Sequence, residues 1–144
     1  MASVGMALYY RSMSIKSRWA VYAGTLTRSA MRLRGGGSAL PGLVVETLDP
    51  SFLQHALSDV KYGVVIVSGT NGKTTTTKMV VQLLRSRGIS VFTNPSGSNF
   101  TRGVAASLLG SLDKGGKLNA DIAVIELDEA HAVHFIKKVK ISKT

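Results

Sequence analysis

The sequence contains no cysteine and few acidic residues. Its 144 residues include 18 Lys and Arg against 8 Asp and Glu, which gives a formal net charge of +10 at pH 7. Without cysteine, the chain forms neither disulfides nor thiolate metal sites, a composition that suits a reducing compartment. No apolar run approaches the ~20 residues that a bilayer-spanning helix requires. A hydrophobic content of 44% is ordinary for a globular domain, which is the class that we expect.

The shortage of acid is greatest at the N-terminus. Residues 1–45 contain six basic residues and no acidic one, a charge that favours an anionic partner. We expect no nucleic-acid partner, because the chain contains no nucleic-acid recognition motif. Apolar residues recur here at spacings of three and four, which predicts an amphipathic helix. These residues are Ile15, Trp19, Tyr22, Leu26, Ala30 and Leu33.

Three interpretations of this basic helix stay open. It packs its apolar stripe on its own domain, it lies on an anionic membrane surface, or it is an organellar transit peptide. Next, Gly35-Gly36-Gly37-Ser38 breaks the helix and Pro41-Gly42 predicts a turn. We therefore divide the chain into a basic N-terminal segment with a glycine-rich linker, residues 1–42, and an α/β domain, residues 43–144.

The strongest motif joins a buried strand to a helix through a glycine loop. The β-branched run Val64–Val67 predicts the strand, and the helix begins near Lys73. In this arrangement the loop amides and the helix N-terminus face a phosphate, the lysine adds a positive charge, and the Thr74 hydroxyl can ligate Mg²⁺. The predicted nucleotide-binding residues are Gly69, Thr70, Asn71, Gly72, Lys73, Thr74 and Thr75.

One glycine departs from the general phosphate-loop pattern, G-x-x-x-x-G-K-[ST]. Its first glycine belongs five residues before Gly72, where this chain has Val67, and the extra glycine is Gly69 instead. The helix after the loop is predicted over residues 73–87. We expect it to bury Met79, Val80, Leu83 and Leu84.

A second loop is predicted on the same rim of the sheet. The pattern continues with a strand at Ile89–Thr93, a helix from Thr101 to about residue 111 and a strand at Ile122–Ile125. Loops at the carboxyl ends of parallel strands meet at one edge, so residues 94–99 approach the glycine loop. This loop contains Asn94, Ser96 and Asn99, and Arg102 follows in the first turn of the next predicted helix.

Acidic residues follow the third strand. Glu126 comes directly after the apolar run and is the first candidate for an Mg²⁺ ligand, with Asp128 as the alternate. Glu129 fits a charge at the start of a helix, and the whole cluster alternatively caps that helix. His131 and His134 share a helical face and, with Asp128, form a second alternative, a transition-metal site.

Three blocks together resemble the Mur ligase family: Ser68–Thr77, Asn94–Gly103 and Glu126–Ala130. The stretch from Gly69 to Thr74 matches the ATP motif of that family, and this explains the displaced glycine. Within the family, the chain is most similar to the ligase subunits of lipid II isoglutaminyl synthases. The resemblance implies an incomplete central ATP-binding domain, with a parallel phosphate-loop sheet flanked by helices.

The resemblance also implies an activity. Such a ligase uses ATP and Mg²⁺ to activate the α-carboxyl of D-glutamate in the stem peptide of lipid II as an acyl phosphate. Ammonia from a GatD-type glutamine amidotransferase then forms the amide, in the cytoplasm at the inner face of the membrane. By the same resemblance, Lys73 would bind phosphate, Thr74 and Glu126 would bind Mg²⁺, and Asn94 would face the metal or the substrate. The substrate loop would comprise Asn94, Ser96, Asn99 and Arg102. Alternatives are another Mur-type ligase, similar to folate polyglutamate synthase, and a non-catalytic nucleotide-binding module.

The chain differs from these relatives in its length and in its lack of cysteine. Members of this group are much longer and usually carry a four-cysteine zinc ribbon, which a chain without cysteine does not form. We therefore expect a fragment whose catalytic residues lie beyond residue 144. By itself, such a fragment is expected not to perform the full reaction.

Overall fold

The computed structural model describes residues 19–27 and 39–139. Helix α1 covers residues 19–27. The other elements, in chain order, are α2 Ala39–Leu48, α3 Phe52–Ser58, β1 Val64–Ser68, α4 Lys73–Ser86, β2 Val91–Thr93, α5 Thr101–Leu109, β3 Ile122–Leu127 and α6 Glu129–Lys138. The predictions for Ile15, Ala30, Leu33 and the Gly35–Ser38 break lie outside the described residues.

The three strands form one parallel sheet in the order β1-β3-β2. Of these three described strands, β3 comes last in the sequence but lies between the other two, and the β1–α4–β2 connection crosses it. Val67 pairs with Glu126 and Thr93 pairs with Val124, so the strand ends meet at one rim. This confirms the predicted α/β fold with a parallel sheet flanked by helices.

Alternation along β3 assigns each side chain to one of two layers. Ala123, Ile125 and Leu127 join the larger core, which includes buried residues of α2, α3, α5 and α6. On the other face, Ile122 and Val124 pack with Val81 of α4. Glu126 is separated from Ile122 and Val124 by an even number of positions, so its side chain lies on the same face as theirs. The carboxylate therefore lies on the side of the sheet that α4 covers.

Helix α4 presents to the sheet a face that matches the predicted one only in part, since Val80 and Leu84 pack, partly buried, against the core on that side. Thr77 and Val81 are buried, whereas Met79 and Leu83 are exposed, so the prediction that these two side chains are buried is wrong. Thr74, Thr77 and Val81 are spaced by three and four residues and so share a face. The glycine loop directs Thr74 towards the strand ends, and this fixes the rotation of the helix.

The predicted turn at Pro41-Gly42 is wrong, because both residues belong to α2. Pro41 is the third residue of the helix, where the backbone N–H has no partner within the helix and its loss is tolerated. Gly42 lies where α2 touches α5, and a Cβ there would collide with the carbonyl oxygen of Arg102. Since α2 runs through residue 42, no break separates the two predicted segments at that position, and the domain division stays a prediction.

The contact at Gly42 gives a stability prediction. Gly42→Ala is expected to lower the free energy of unfolding by about 1–3 kcal/mol, because the colliding atom is backbone and the two helices must separate. Urea denaturation followed by circular dichroism measures the change. Gly115→Ala is the matched control, since a Cβ there meets only the side chain of Asp113. An unchanged midpoint for Gly42→Ala would contradict the helix contact.

Helix α1 packs on the domain through small residues. Ala20 is fully buried, and a side chain at Gly24 would meet Leu109 and Val45. The predicted apolar stripe faces outward instead, with Trp19, Tyr22 and Leu26 exposed by 70%, 57% and 72%. The helix itself is confirmed over 19–27, but for Trp19, Tyr22 and Leu26 the interpretation that the stripe packs on the domain is wrong. None of the helices in the described ranges has the length and apolarity to cross a membrane.

Candidate functional site

The glycine loop leads from β1 into the N-terminus of α4. Gly69 and Gly72 have φ angles of 153° and 79°, which other residues rarely adopt. Gly72 is the N-cap and makes no side-chain cap, and Thr76 N–H donates to Gly72 O at 2.9 Å. The amide groups of the first helical turn precede this bond and have no intrahelical acceptor. Together with the helix dipole, they form an arrangement that attracts an anion.

Lys73 folds back over the loop. Its Nζ donates to the carbonyl oxygen of Gly69 at 2.6 Å and lies 3.1 Å from Asp128 Oδ1. These contacts link the glycine loop and the start of α4 to Asp128, the residue that precedes α6. The ammonium group stands where a phosphate held by the loop amides would meet it, and Asp128 supplies the opposing charge.

Thr74 and Glu126 meet on the floor of the site. Thr74 Oγ1 donates to Glu126 Oε1 at 2.8 Å, and Glu126 is only 5% exposed. The pairing of Val67 with Glu126 brings the carboxylate level with the end of β1, where the loop begins. A hydroxyl and a carboxylate oxygen are hard donors of the type that Mg²⁺ prefers. The chemistry of this pair therefore fits the ion.

A cavity of about 400 Å³ opens above this pair. It brings together most of the residues predicted for nucleotide, metal and substrate, although Gly69 lies outside its lining. The lining consists of Thr70, Asn71, Gly72, Lys73, Thr74, Thr75, Ser96, Gly97, Asn99 and Glu126. The two loops thus form one concave surface at the rim of the sheet.

Asn94 does not line this cavity; it is 4% exposed beneath it. Its Nδ2 donates to Ser98 O at 2.8 Å and to Glu126 O at 3.0 Å, and its Oδ1 accepts from Glu126 N at 2.9 Å. All three polar contacts of the amide go to backbone, so the expected metal- or substrate-facing role does not fit. Since β2 ends at Thr93, the side chain continues the pairing with β3 and positions Glu126.

The Asn94 contacts predict a loss of stability for Asn94→Ala. The change leaves three buried backbone groups without a partner, and we expect the free energy of unfolding to fall by about 1–3 kcal/mol. Urea denaturation measures it. In the control Asn119→Ala an exposed side chain is removed, and the Asn119 bond to Ser90 uses the backbone carbonyl. Equal midpoints for the two variants would refute the positioning role.

The acidic residues after β3 have contacts that sequence reasoning missed. Glu129 is the first residue of α6, as predicted for a helix-start charge, and its Oε1 also accepts from Thr70 Oγ1 at 2.9 Å. Asp128 is the N-cap of α6 by position, but its side chain makes no cap and instead contacts Lys73. The alternative interpretation, in which these acids only cap α6, therefore applies to Glu129 alone, and it does not explain the bond of Glu129 to Thr70. Sequence periodicity does not predict the contact between Thr70 and Glu129, because the two residues are 59 positions apart.

Arg102 lies in a second cavity, of about 380 Å³, lined by Glu46, Phe100, Thr101, Arg102, His131, His134 and Lys138. Lys138 Nζ donates to Glu46 Oε1 at 3.0 Å, and the His131 and Phe100 rings lie 6.4 Å apart. Within residues 19–27 and 39–139, no three His, Asp or Glu side chains come close enough to hold a metal. Consecutive residues line the two cavities, Asn99 the first and Phe100 the second. His55, which had no predicted role, contacts Asp49 at 3.4 Å.

Comparison with known proteins agrees with this architecture. Over 118 residues the chain is 39% identical to the MurT subunit of lipid II isoglutaminyl synthase (glutamine-hydrolyzing) from Streptococcus pneumoniae (strain ATCC BAA-255 / R6), across 82% of this chain and 26% of that subunit. The subunit of the same name from Staphylococcus aureus (strain COL) is 34% identical over 122 residues, which are 83% of this chain and 26% of the relative. The chain thus spans about a quarter of the length of these relatives. Residues 67–142 match the Mur ligase middle domain. Because this match covers more than half of its length, the chain belongs to the Mur ligase family.

Proposed function

We propose that this chain is the nucleotide-binding portion of an ATP-dependent carbon–nitrogen ligase. The observation that carries the proposal is the bond between Thr74 and Glu126, directly below a glycine loop and a lysine. This places a hydroxyl, a carboxylate and an ammonium around one cavity. Such a set matches the negative charge of a triphosphate and the hard oxygen preference of its magnesium ion.

Each residue of the loop has a separate task in this proposal. The amides from Gly69 to Thr75 hold the phosphate oxygens, and Lys73 exchanges its bond to Gly69 O for a phosphate oxygen. Thr74 and Glu126 would hold Mg²⁺, directly or through water, and the ion supplies charge neutralisation when bound. Ser96 and Asn99, across the cavity, contact the transferred end of the triphosphate or the incoming acid.

The substrate proposal follows from the names of the relatives. We propose that the whole protein activates the α-carboxyl of D-glutamate in the lipid II stem peptide, in the cytoplasm. A carboxylate oxygen attacks the γ-phosphorus, ADP leaves, and ammonia from a GatD-type partner displaces phosphate to give the amide and a proton. We propose that the acid extends towards the second cavity, where Lys138 is paired with Glu46 and the guanidinium of Arg102 would meet the anionic group.

Binding of ATP to this chain tests the proposal. Isothermal titration calorimetry with ATP in the presence and absence of Mg²⁺ is expected to show binding that the metal strengthens. No binding in either condition would refute it. The acceptor is tested with the complete protein: ADP release stimulated by lipid II, glutamine and a GatD-type subunit supports amidation, whereas stimulation by a folate and glutamate would identify a polyglutamate synthase. Binding without ADP release under any acceptor would leave a non-catalytic nucleotide module as the function.

A further inference from the structure

Helix α1 presents an apolar face that the domain leaves uncovered. Trp19, Tyr22 and Leu26 lie at helical spacing and are all more than half exposed. The opposite face is held to the domain by Ala20 and by the close approach of Gly24 to Leu109. The outward direction of the stripe is therefore fixed by packing on the other side of the same helix.

The charge of the surrounding sequence indicates what this face meets. Residues 1–45 contain Arg11, Lys16, Arg18, Arg28, Arg32 and Arg34 and no acidic residue. A basic segment around a short apolar helix face complements an anionic lipid surface. Tryptophan and tyrosine are the side chains that settle at the level of lipid headgroups, because their rings are apolar and their N–H and O–H groups remain hydrated.

We propose that α1 docks on an anionic bilayer surface. In this arrangement the helix lies in the plane of the membrane with Trp19, Tyr22 and Leu26 among the headgroups, and the net positive charge of residues 1–45 attracts the anionic lipid. Within the described ranges α1 covers residues 19–27, and none of the helices there has the length and apolarity to span a bilayer. This inference does not depend on the nucleotide site, since none of the three side chains lines its cavity.

Trp19 is the one tryptophan of the sequence, so its fluorescence reports directly on the stripe. With vesicles of phosphatidylglycerol and phosphatidylcholine in equal amounts, the full chain is expected to sediment with lipid and to show a blue-shifted Trp19 emission. Vesicles of phosphatidylcholine alone, or a high salt concentration, are expected to abolish both effects, because the charge attraction is lost or screened. Brominated lipids are expected to quench the emission.

Substitutions in the apolar stripe show whether the stripe contributes to vesicle binding in addition to the positive charge. The variant Trp19→Gln/Tyr22→Gln/Leu26→Gln is expected to bind these vesicles at least about tenfold more weakly in sedimentation. Met79→Gln/Leu83→Gln, on an equally exposed face of α4, is the matched control and should bind normally. The single variant Leu26→Gln, which keeps Trp19, serves if the triple variant does not fold.

Three results would overturn the proposal. Trp19 emission that vesicles do not change would place the stripe away from lipid. Emission already blue-shifted in the full chain before lipid is added, and unresponsive to it, would show that protein covers the stripe. Equal sedimentation of the stripe variants and the wild type would show that the basic residues bind lipid without it. ATP affinity, measured alongside, should be the same for the stripe variants and the wild type.

Discussion

Lys73→Ala is expected to weaken ATP binding by roughly 10- to 150-fold. A hydrogen bond to a charged group contributes about 1.5–3 kcal/mol, and alanine removes both that bond and the positive charge that faces the phosphates. Little stability should be lost, since the ion pair of Lys73 with Asp128 involves a carboxylate that is 43% exposed. Isothermal titration calorimetry with ATP and Mg²⁺ measures the affinity, and a urea melt shows that the fold is retained.

The control for this change lies on the same helix. Lys78→Ala removes an exposed lysine five residues further along α4, outside the cavity lining. It lowers the net charge by the same amount and should leave ATP affinity nearly unchanged. If both variants lost affinity equally, general charge attraction would explain the binding. If neither did, Lys73 would not contact the phosphates.

Local chemistry made the glycine loop predictable from the sequence. Gly69 and Gly72 adopt backbone angles that require glycine, and the strand before them and the helix after them have clear patterns. The order of the strands was beyond this reasoning, because periodicity shows which face of β3 is buried but not which strands are its neighbours. The same limit explains why Glu129 was not linked to Thr70, although both lie in predicted segments.

Two further errors have a common cause in tertiary contacts. Pro41 and Gly42 are typical of a turn, yet the helix continues, because α2 needs a residue without a side chain where it touches α5. Trp19, Tyr22 and Leu26 form the most apolar face of α1, yet Ala20 and Gly24 face the domain, because the space beside Leu109 admits only small residues. Composition predicts that a helix has two faces, and only the shape of its neighbour decides which one packs.

For Asn94 the sequence predicts the location at the rim of the sheet but not the contacts of the side chain. Its position after β2 placed it correctly at the rim, near the other candidate residues. Whether its amide points into the cavity or into the protein depends on Glu126 of β3, which is 32 positions away in the sequence. Because the Asn94 amide binds both the N–H and the C=O of Glu126, the position of the Glu126 carboxylate depends on Asn94.

Glu126→Gln is expected to lower the apparent affinity for Mg²⁺ in the presence of ATP by roughly 10- to 100-fold, the range found when groups around a metal are changed. Glutamine keeps the size of the side chain and an oxygen that can accept from Thr74, so the loop should keep its shape. What the variant loses is the negative charge. ATP binding measured without metal should therefore stay equal or become slightly tighter, because repulsion of the phosphates is removed.

The comparison that decides between the two carboxylates is Asp128→Asn. Asp128 was the alternate candidate, and its oxygen lies 3.1 Å from Lys73 rather than beside Thr74. A titration of Mg²⁺ at fixed ATP should give a weakened metal affinity for Glu126→Gln and a nearly normal one for Asp128→Asn. The reverse result would assign the metal to Asp128, and a normal affinity for both variants would show that neither carboxylate holds it. Only the first outcome agrees with a metal held at the hydroxyl of Thr74, because Glu126 is the acid that shares the α4 face of the sheet with it.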